Sequence, residues 1–272
     1  MKCLTLNTHS WIEKDSAIKL AQLTQQIIAA DYDIIALQEI NQSVAAPKLA
    51  ETSAYFCPTA QQTPIKADNF AYCLIEALKA RGVNYYWAWD MSHIGYDIYE
   101  EGASLLSKQK ISAESRYVSS SHAPDDYHSR RMVYGITQIN HSPIFIMSCH
   151  FSWWLNENTG FAYEWQNTLD ILKAVDYPKL LLGDFNNPDD SMDYQWLTQN
   201  SSDLVDSYLI AKKKIGAATV LKNIDGWENN TEALRIDYIF VSKTIPVDQY
   251  RVVFTGENEP IISDHFGVEI EG

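Results

Sequence analysis

The chain has 272 residues, 46% of them hydrophobic, enough for one large core of the size layered α/β folds reach. No run approaches the ~18 uninterrupted apolar residues of a membrane span, and no basic segment followed by an apolar one opens the chain, so neither a membrane helix nor a signal peptide is expected. With 35 acidic and 21 basic residues the net charge is −14. That sign weakens any reading as a duplex-binding protein, which draws affinity from Lys and Arg on phosphates, though it leaves room for local basic patches.

Short apolar runs bounded by turn residues read as buried strands. The first, Leu4-Thr5-Leu6-Asn7, ends on an amide. Asp15 is placed to cap a helix reaching about Ala30, with Ala17, Leu20, Leu23, Ile27 and Ile28 at helical spacing. Ile34-Ile35-Ala36-Leu37-Gln38-Glu39 is a strand ending on a carboxylate. A second helix is expected over residues 69–81, capped by Asp68 and stopped by Gly82. Strands follow at 83–89, 103–106, 131–139 and 144–150, with a turn-rich surface loop at 119–129. A third helix, 161–175, carries Phe161, Trp165, Leu169 and Leu172 on one side, with Pro178 beyond its end. Next comes Leu180-Leu181-Leu182-Gly183-Asp184-Phe185-Asn186, another run ending on polar groups. The basic cluster Lys212-Lys213-Lys214 reads as a solvated helix face or turn. Strands at 237–241 and 251–254, the run Ile261-Ile262-Ser263-Asp264-His265 and a strand at 266–270 complete the chain.

No repeat, low-complexity segment or linker interrupts this pattern, so residues 1–272 read as one domain. Many strands, few helices and several strands in direct succession point to an α/β (α+β) fold, a pair of mixed sheets with helices outside. Cys3, Cys57, Cys73 and Cys149 are widely spaced, and Cys3 and Cys149 fall within predicted strands. A reduced cytoplasmic protein with core thiols fits this better than a disulfide framework or a zinc site.

Four of these runs carry Asn, Glu or Asp at or next to their ends. An unpaired carboxylate at the mouth of a core is costly, so four such ends together suggest a cation at a shared rim and a metal-dependent hydrolase. Asp184 and Asn186 lie two residues apart, which presents both side chains to one side of an extended segment, with Gly183 letting the backbone bend. Taken in order, Asn7, Gln38-Glu39, Gly183-Asp184-Phe185-Asn186, Ile236-Asp237-Tyr238 and Ser263-Asp264-His265 resemble the endonuclease/exonuclease/phosphatase superfamily over essentially the whole chain. The resemblance implies a four-layer sandwich: two mixed β-sheets face to face, helices on both outer faces, and the site at one end.

It also implies roles. Glu39, with Asn7 and Asp264 near the same ion, would hold Mg²⁺ or Mn²⁺, hard cations that take oxygen ligands and keep several waters. Asp184 would orient or deprotonate the attacking water, and Asn186 would hydrogen-bond to that water or to the phosphate. His265, oriented by Asp237, would donate to a phosphate oxygen. His150 resembles a second phosphate-contacting histidine, and Glu101, beside Glu100, stands where relatives pair an acid with it. Relatives aim an Arg from the start of the 131–139 strand at the phosphate. Alternation lets only one of Arg130 and Arg131 point inward, and Arg131 is the expected one. Surface placement is the default for His9, His93, His122, His128 and His141, with His128 the foremost exception.

Eight Trp and 16 Tyr are many for one domain. Core packing is the favoured reading for Trp87, Trp89 and Trp165. It is weaker for Trp153 and Trp154, because adjacent strand residues face opposite ways. Acidity plus aromatic loops suits a small substrate with one phosphate. The segments Leu6-Asn7-Thr8-His9-Ser10-Trp11, Ser263-Asp264-His265-Phe266-Gly267 and Ile224-Asp225-Gly226-Trp227 resemble the bacterial maltose 6'-phosphate phosphatase subgroup. The leading expectation is therefore a Mg²⁺-dependent phosphomonoesterase of a sugar phosphate. Nuclease or DNA-repair phosphodiesterase is the alternative, and nucleic acid is disfavoured as a partner by the charge. A catalytically dead scaffold is a third reading, opposed by the filled site positions. No membrane partner is expected, and the oligomeric state is open.

Overall fold

The computed structural model describes every residue except 154–157, 202, 222–223, 225–226 and 228. In chain order its strands are β1 (Lys2–Asn7), β2 (Ile34–Ser43), β3 (Tyr86–Gly95), β4 (Tyr99–Ser107), β5 (Ser112–Tyr117), β6 (Arg131–Ile139), β7 (Ser142–His150), β8 (Lys179–Asp184), β9 (Leu204–Asp206), β10 (Lys213–Ile215), β11 (Asp237–Ser242), β12 (Gln249–Val253) and β13 (Gly267–Glu271). The α-helices are α1 (Ser16–Ala30), α2 (Phe70–Lys79), α3 (Phe161–Lys173), α4 (Met192–Asn200) and α5 (Ser207–Ile210). One sheet runs β10-β12-β13-β1-β2-β4-β3 and the other β5-β6-β7-β8-β11-β9. Both are mixed, with β1–β2, β10–β12 and β7–β8 the parallel pairs.

Every residue of β8 and β11 is buried. Strands covered on both faces lose the apolar/polar alternation and read as continuous apolar runs, which is why these segments stood out in the sequence. Alternation still sorts the side chains. Ile34, Ala36 and Leu105 of one sheet meet Val133, Ile146, Leu180 and Leu182 of the other in the central core. Leu4, Leu6, Ile35 and Leu37 point the other way, onto Leu23 and Ile27 of α1 and Leu74 and Leu78 of α2. Phe145, Met147 and Leu181 pack under Trp165 and Leu172 of α3 and Leu197 of α4. The result is the expected order of helix, sheet, sheet and helix.

Several local expectations need correction. Asp15 precedes α1 in the left-handed region (φ 58°) and its side chain makes no cap bond. Asn69, rather than Asp68, caps α2, accepting from the Tyr72 amide at 3.1 Å; the Asp68 carboxylate instead accepts from the Ser43 amide. The run 261–265 is a loop and not a strand, with Ile262 buried and Ile261 exposed. The lysine cluster does not sit on a helix: Lys213 and Lys214 lie on the three-residue edge strand β10. Gly183 does not sit in a turn; it lies within β8, paired with Cys149 and Tyr238, and a Cβ there would meet the Cys149 carbonyl oxygen of β7 at 1.9 Å.

The four thiols are free, and Cys3 and Cys149 are buried in strands. Trp87, Trp89 and Trp165 are core residues, each 0% exposed. Among the described residues no helix is long and apolar enough to cross a membrane.

Candidate active site

Sheet topology assembles the site. Parallel pairing brings the carboxyl ends of neighbouring strands to one edge, placing Asn7 opposite Gln38 and His150 opposite Asp184. β11 starts at that edge, with Asp237 opposite Asp184. Glu39 reaches it differently from the expectation. β2 does not end there but runs on to Ser43, with a bulge between Leu37 and Ile40. Gln38 points between the sheets and donates to Ser148 Oγ at 3.0 Å. Glu39 takes φ 52°, a strained state for a side chain of this size that costs on the order of 1–3 kcal/mol. That local twist lets its carboxylate meet Asn7, whose Nδ2 donates to Glu39 Oε1 at 2.8 Å.

Asn7 Nδ2 also donates to Asp184 Oδ2 at 3.1 Å. The Asn186 amide N–H donates to Asp184 Oδ1 at 2.8 Å, and Asn186, at φ 52°, gives its Nδ2 to the Phe151 carbonyl at 3.0 Å. The Trp227 indole donates to Asn186 Oδ1 at 3.0 Å; Asp225 and Gly226 of the same segment, and Trp154, lie outside the described residues. His265 Nδ1 and Asp237 Oδ2 are 2.9 Å apart, both side chains buried, and His265 Nε2 lies 3.9 Å from Asp184 Oδ2. His150 Nε2 is 3.9 Å from both Glu39 Oε1 and Asp184 Oδ2. Glu101 joins Glu39 and His150 in a group whose ligand atoms lie within 4.8 Å of one another.

Two placements differ from the sequence expectation. Arg131 faces away, its Nη2 3.0 Å from the buried Asp90 carboxylate. Arg130, on the other side by alternation, lines the cleft with its guanidinium over Trp153 at 5.7 Å. Asp264 groups with His9 and Glu13, not directly with Glu39, His9 Nδ1 lying 2.9 Å from Glu13 and 3.8 Å from Asp264. His9 itself is half-buried rather than on the surface, and its Nε2 is buried with no hydrogen-bond partner.

Asp264 and Glu13 line a separate cavity. Glu39, Glu101, Arg130, His150, Asp184, Asn186 and His265 line a cleft of about 430 Å³, completed by His93, Gly95, Tyr96, Tyr127 and Trp153. Its charge states divide. Burial opposes a charge on His265, but Asp237 and Asp184 overrule it and hold the imidazolium well above its ordinary range. Burial and the Arg130 charge push His150 well below its ordinary range and His93 down to about 3, so both are neutral. Burial lifts Asp184 above the usual carboxylate range, with Asp237 adding to it. Burial lifts Glu39 too, against the opposing pull of His9. A buried carboxylate of this kind is what a bound cation would stabilise, and the oxygen donors of Glu39, Asn7 and Asp264 suit a hard divalent ion.

The model of the Endonuclease/Exonuclease/phosphatase family matches residues 12–265. The chain belongs to this family. The family's members are hydrolases of phosphoester bonds. An endonuclease/exonuclease/phosphatase family protein from Leptotrichia buccalis C-1013-b is 32% identical, with 100% of this chain and 98% of that one covered and a TM-score of 0.86. Mannosyl-6-phosphatase Bt3783 from Bacteroides thetaiotaomicron VPI-5482 is 18% identical, covering 100% and 98%, with a TM-score of 0.69. The TDP2 of D. rerio, complexed with a single-strand DNA product, is 16% identical, covering 99% and 97%, with a TM-score of 0.67. The last two share the fold. Comparison with curated protein sequences gave no match.

In this endonuclease/exonuclease/phosphatase chain, His93, expected on the surface, is buried and lines the cleft, as do Tyr96 and Tyr127, to which the sequence reading gave no site role. A signal was present for His93, an imidazole inside an otherwise strand-like run. Tyr96 and Tyr127 sit in turns and loops that no periodicity marks.

Proposed function

We propose that this chain is a divalent-metal-dependent phosphomonoesterase of a small sugar phosphate, a disaccharide phosphate of the maltose 6'-phosphate kind being favoured. The observation that carries the reading is the composition of one cleft. It sets a protonated His265 and the carboxylates Asp184 and Glu39 at its base, and Arg130, Tyr96, Tyr127 and Trp153 on its walls. Phosphate recognition needs cationic donors, and sugar faces pack on aromatic rings. Tyr96 and Tyr127 are 51% and 54% exposed, which leaves ring surface within reach of a sugar at the cleft.

Asp184 accepts a proton from, or orients, the water that attacks phosphorus; its raised proton affinity suits a base working near neutrality. Asn186 fixes the Asp184 carboxylate through its backbone amide. His265, held by Asp237, donates to a phosphoryl oxygen as charge develops there. Arg130 offers a fixed positive charge, and neutral His150 lies where it can hydrogen-bond to the phosphate. Glu39, with Asn7 and Asp264, would hold a Mg²⁺ or Mn²⁺ ion, which would supply Lewis-acid polarisation of the phosphoryl group. Four free thiols support a cytoplasmic setting for the single domain, 1–272.

The test is a substrate panel in Mg²⁺ and in EDTA: hexose and disaccharide phosphates, inositol phosphates, abasic-site DNA and a lipid phosphodiester. Metal-dependent phosphate release from the sugar esters is expected. Nicking of abasic DNA with no phosphate released from any sugar ester would move the chain to the phosphodiesterase branch.

A further inference from the structure

A second cavity, of about 370 Å³, opens beside the first at the edge strand β5. Arg116, Tyr117, His122, Arg131, Tyr163 and Asn167 contribute to its wall. None of its lining residues is acidic, on a chain that carries 35 Asp and Glu. Arg116, Arg131 and His122 all contribute to it; the register sets Arg116 opposite Met132 and Arg131 opposite Tyr117, so the two guanidiniums come to it from the two faces of the β5 edge.

The cavity is built from anchored parts. Arg131 is 91% buried, given its 9% exposure, yet its Nε has no hydrogen-bond partner. Its Nη2 meets Asp90, but that carboxylate is already shared out: Thr59, Ser115 and Thr63 hydroxyls and the Thr63 and Met91 amides all donate to it. The guanidinium also lies over the Tyr117 ring at 5.1 Å. Tyr117 in turn stacks on His122, with centroids 4.7 Å apart and an interplanar angle of 16°. A planar aromatic shelf beside two arginines suits a ligand with an oxyanion at one end and a ring or sugar face at the other.

We propose that this cavity is a second binding site, distinct from the catalytic cleft, for a small phosphate-bearing molecule. Its position couples it to the cleft. Arg130 faces the cleft and Arg131 this cavity, one residue apart. The loop 119–129 lends Tyr127 to one and His122 to the other.

The test is calorimetric titration of the metal-free wild-type protein, kept in EDTA so that nothing turns over, with inorganic phosphate and then with hexose 6-phosphate, followed by Arg116→Gln, His122→Ala and Arg130→Ala. Two phosphate sites are expected in the wild type. Arg116→Gln and His122→Ala should weaken one at least tenfold, while Arg130→Ala weakens the other. Arg116 is solvent-exposed, so its replacement should leave the melting temperature unchanged; amide NMR shifts at residues 115–122 on adding phosphate give a readout that needs no variant. A single site lost in Arg130→Ala and untouched in Arg116→Gln and His122→Ala, with no shifts at 115–122, would overturn the proposal.

Discussion

His265 reaches the cleft with its Nδ1 fixed by Asp237 and its Nε2 facing Asp184 Oδ2 at 3.9 Å. Replacing it with Ala should lower kcat by on the order of 10²–10³, the scale for one transition-state donor. Asp237→Asn should cost less, since the imidazole stays and only its charge and orientation suffer. Phosphate-release kinetics decide this, and full turnover in His265→Ala would refute the role. Arg130 and Arg131 should separate in a different way. Arg130→Ala should raise KM for a sugar phosphate; the side chain is 3% exposed and donates to the Tyr127 carbonyl, so some loss of stability should accompany the change. Arg131→Ala strips the partner from the buried Asp90, a class of change that costs about 3–5 kcal/mol, so its effect should appear in thermal unfolding. Similarly, Glu39→Gln should weaken Mg²⁺ binding, measured directly by calorimetry, while the fold persists. An unchanged affinity would remove Glu39 from the metal set.

At the scale of elements, α3 buries a carboxylate. Glu164 is fully buried and receives hydrogen bonds from the Ser152 amide and hydroxyl, anchoring the segment that carries Trp153 to the cleft. Burial raises its pKa from 4.5 to about 7, against the pull of Arg130. Between those values the folded protein keeps a proton that the unfolded chain has released, so stability should fall as pH rises from 4.5 to 7 and level off above. The size is ~3 kcal/mol at one unit per 1.36 kcal/mol, and Glu164→Gln should flatten that part of a denaturation-versus-pH curve. Wild-type slope in the variant would refute it. Gly183→Ala should destabilise strongly, because β7 leaves no room for the methyl group. Strands buried on both faces, such as β8 and β11, were legible as apolar runs. β3 and β4 extend well past their predicted ends, and their missing stretches hold His93, Glu100 and Glu101. His93 and Glu101 line the cleft, and Glu100 pairs with Lys66, so polar side chains stand where the apolar signal of a strand would have been. Arg130 was missed for a related reason: alternation alone gives two phases, and only the buried Asp90, distant in sequence, selects between them.

For the whole molecule, the −14 charge sets the sign of long-range forces. Association with a polyanion should be slow at low salt and should strengthen, not weaken, as salt screens the repulsion, the reverse of a protein that binds DNA through many phosphate contacts. A sugar phosphate, with one charged group, should show little such dependence. Binding to duplex DNA that falls steeply with added salt would contradict this. The sandwich also has open edges, and β10 forms one of them with only three residues, all exposed. Its Lys213 and Lys214 side chains, together with its brevity, put charge along the backbone groups that another strand would otherwise seek. Two molecules meeting at this edge must bring like charges together. Lys213 and Lys214 should therefore oppose fibre-like self-assembly at this edge, and Lys213→Val with Lys214→Thr should lower the concentration at which light scattering from the concentrated protein begins to rise.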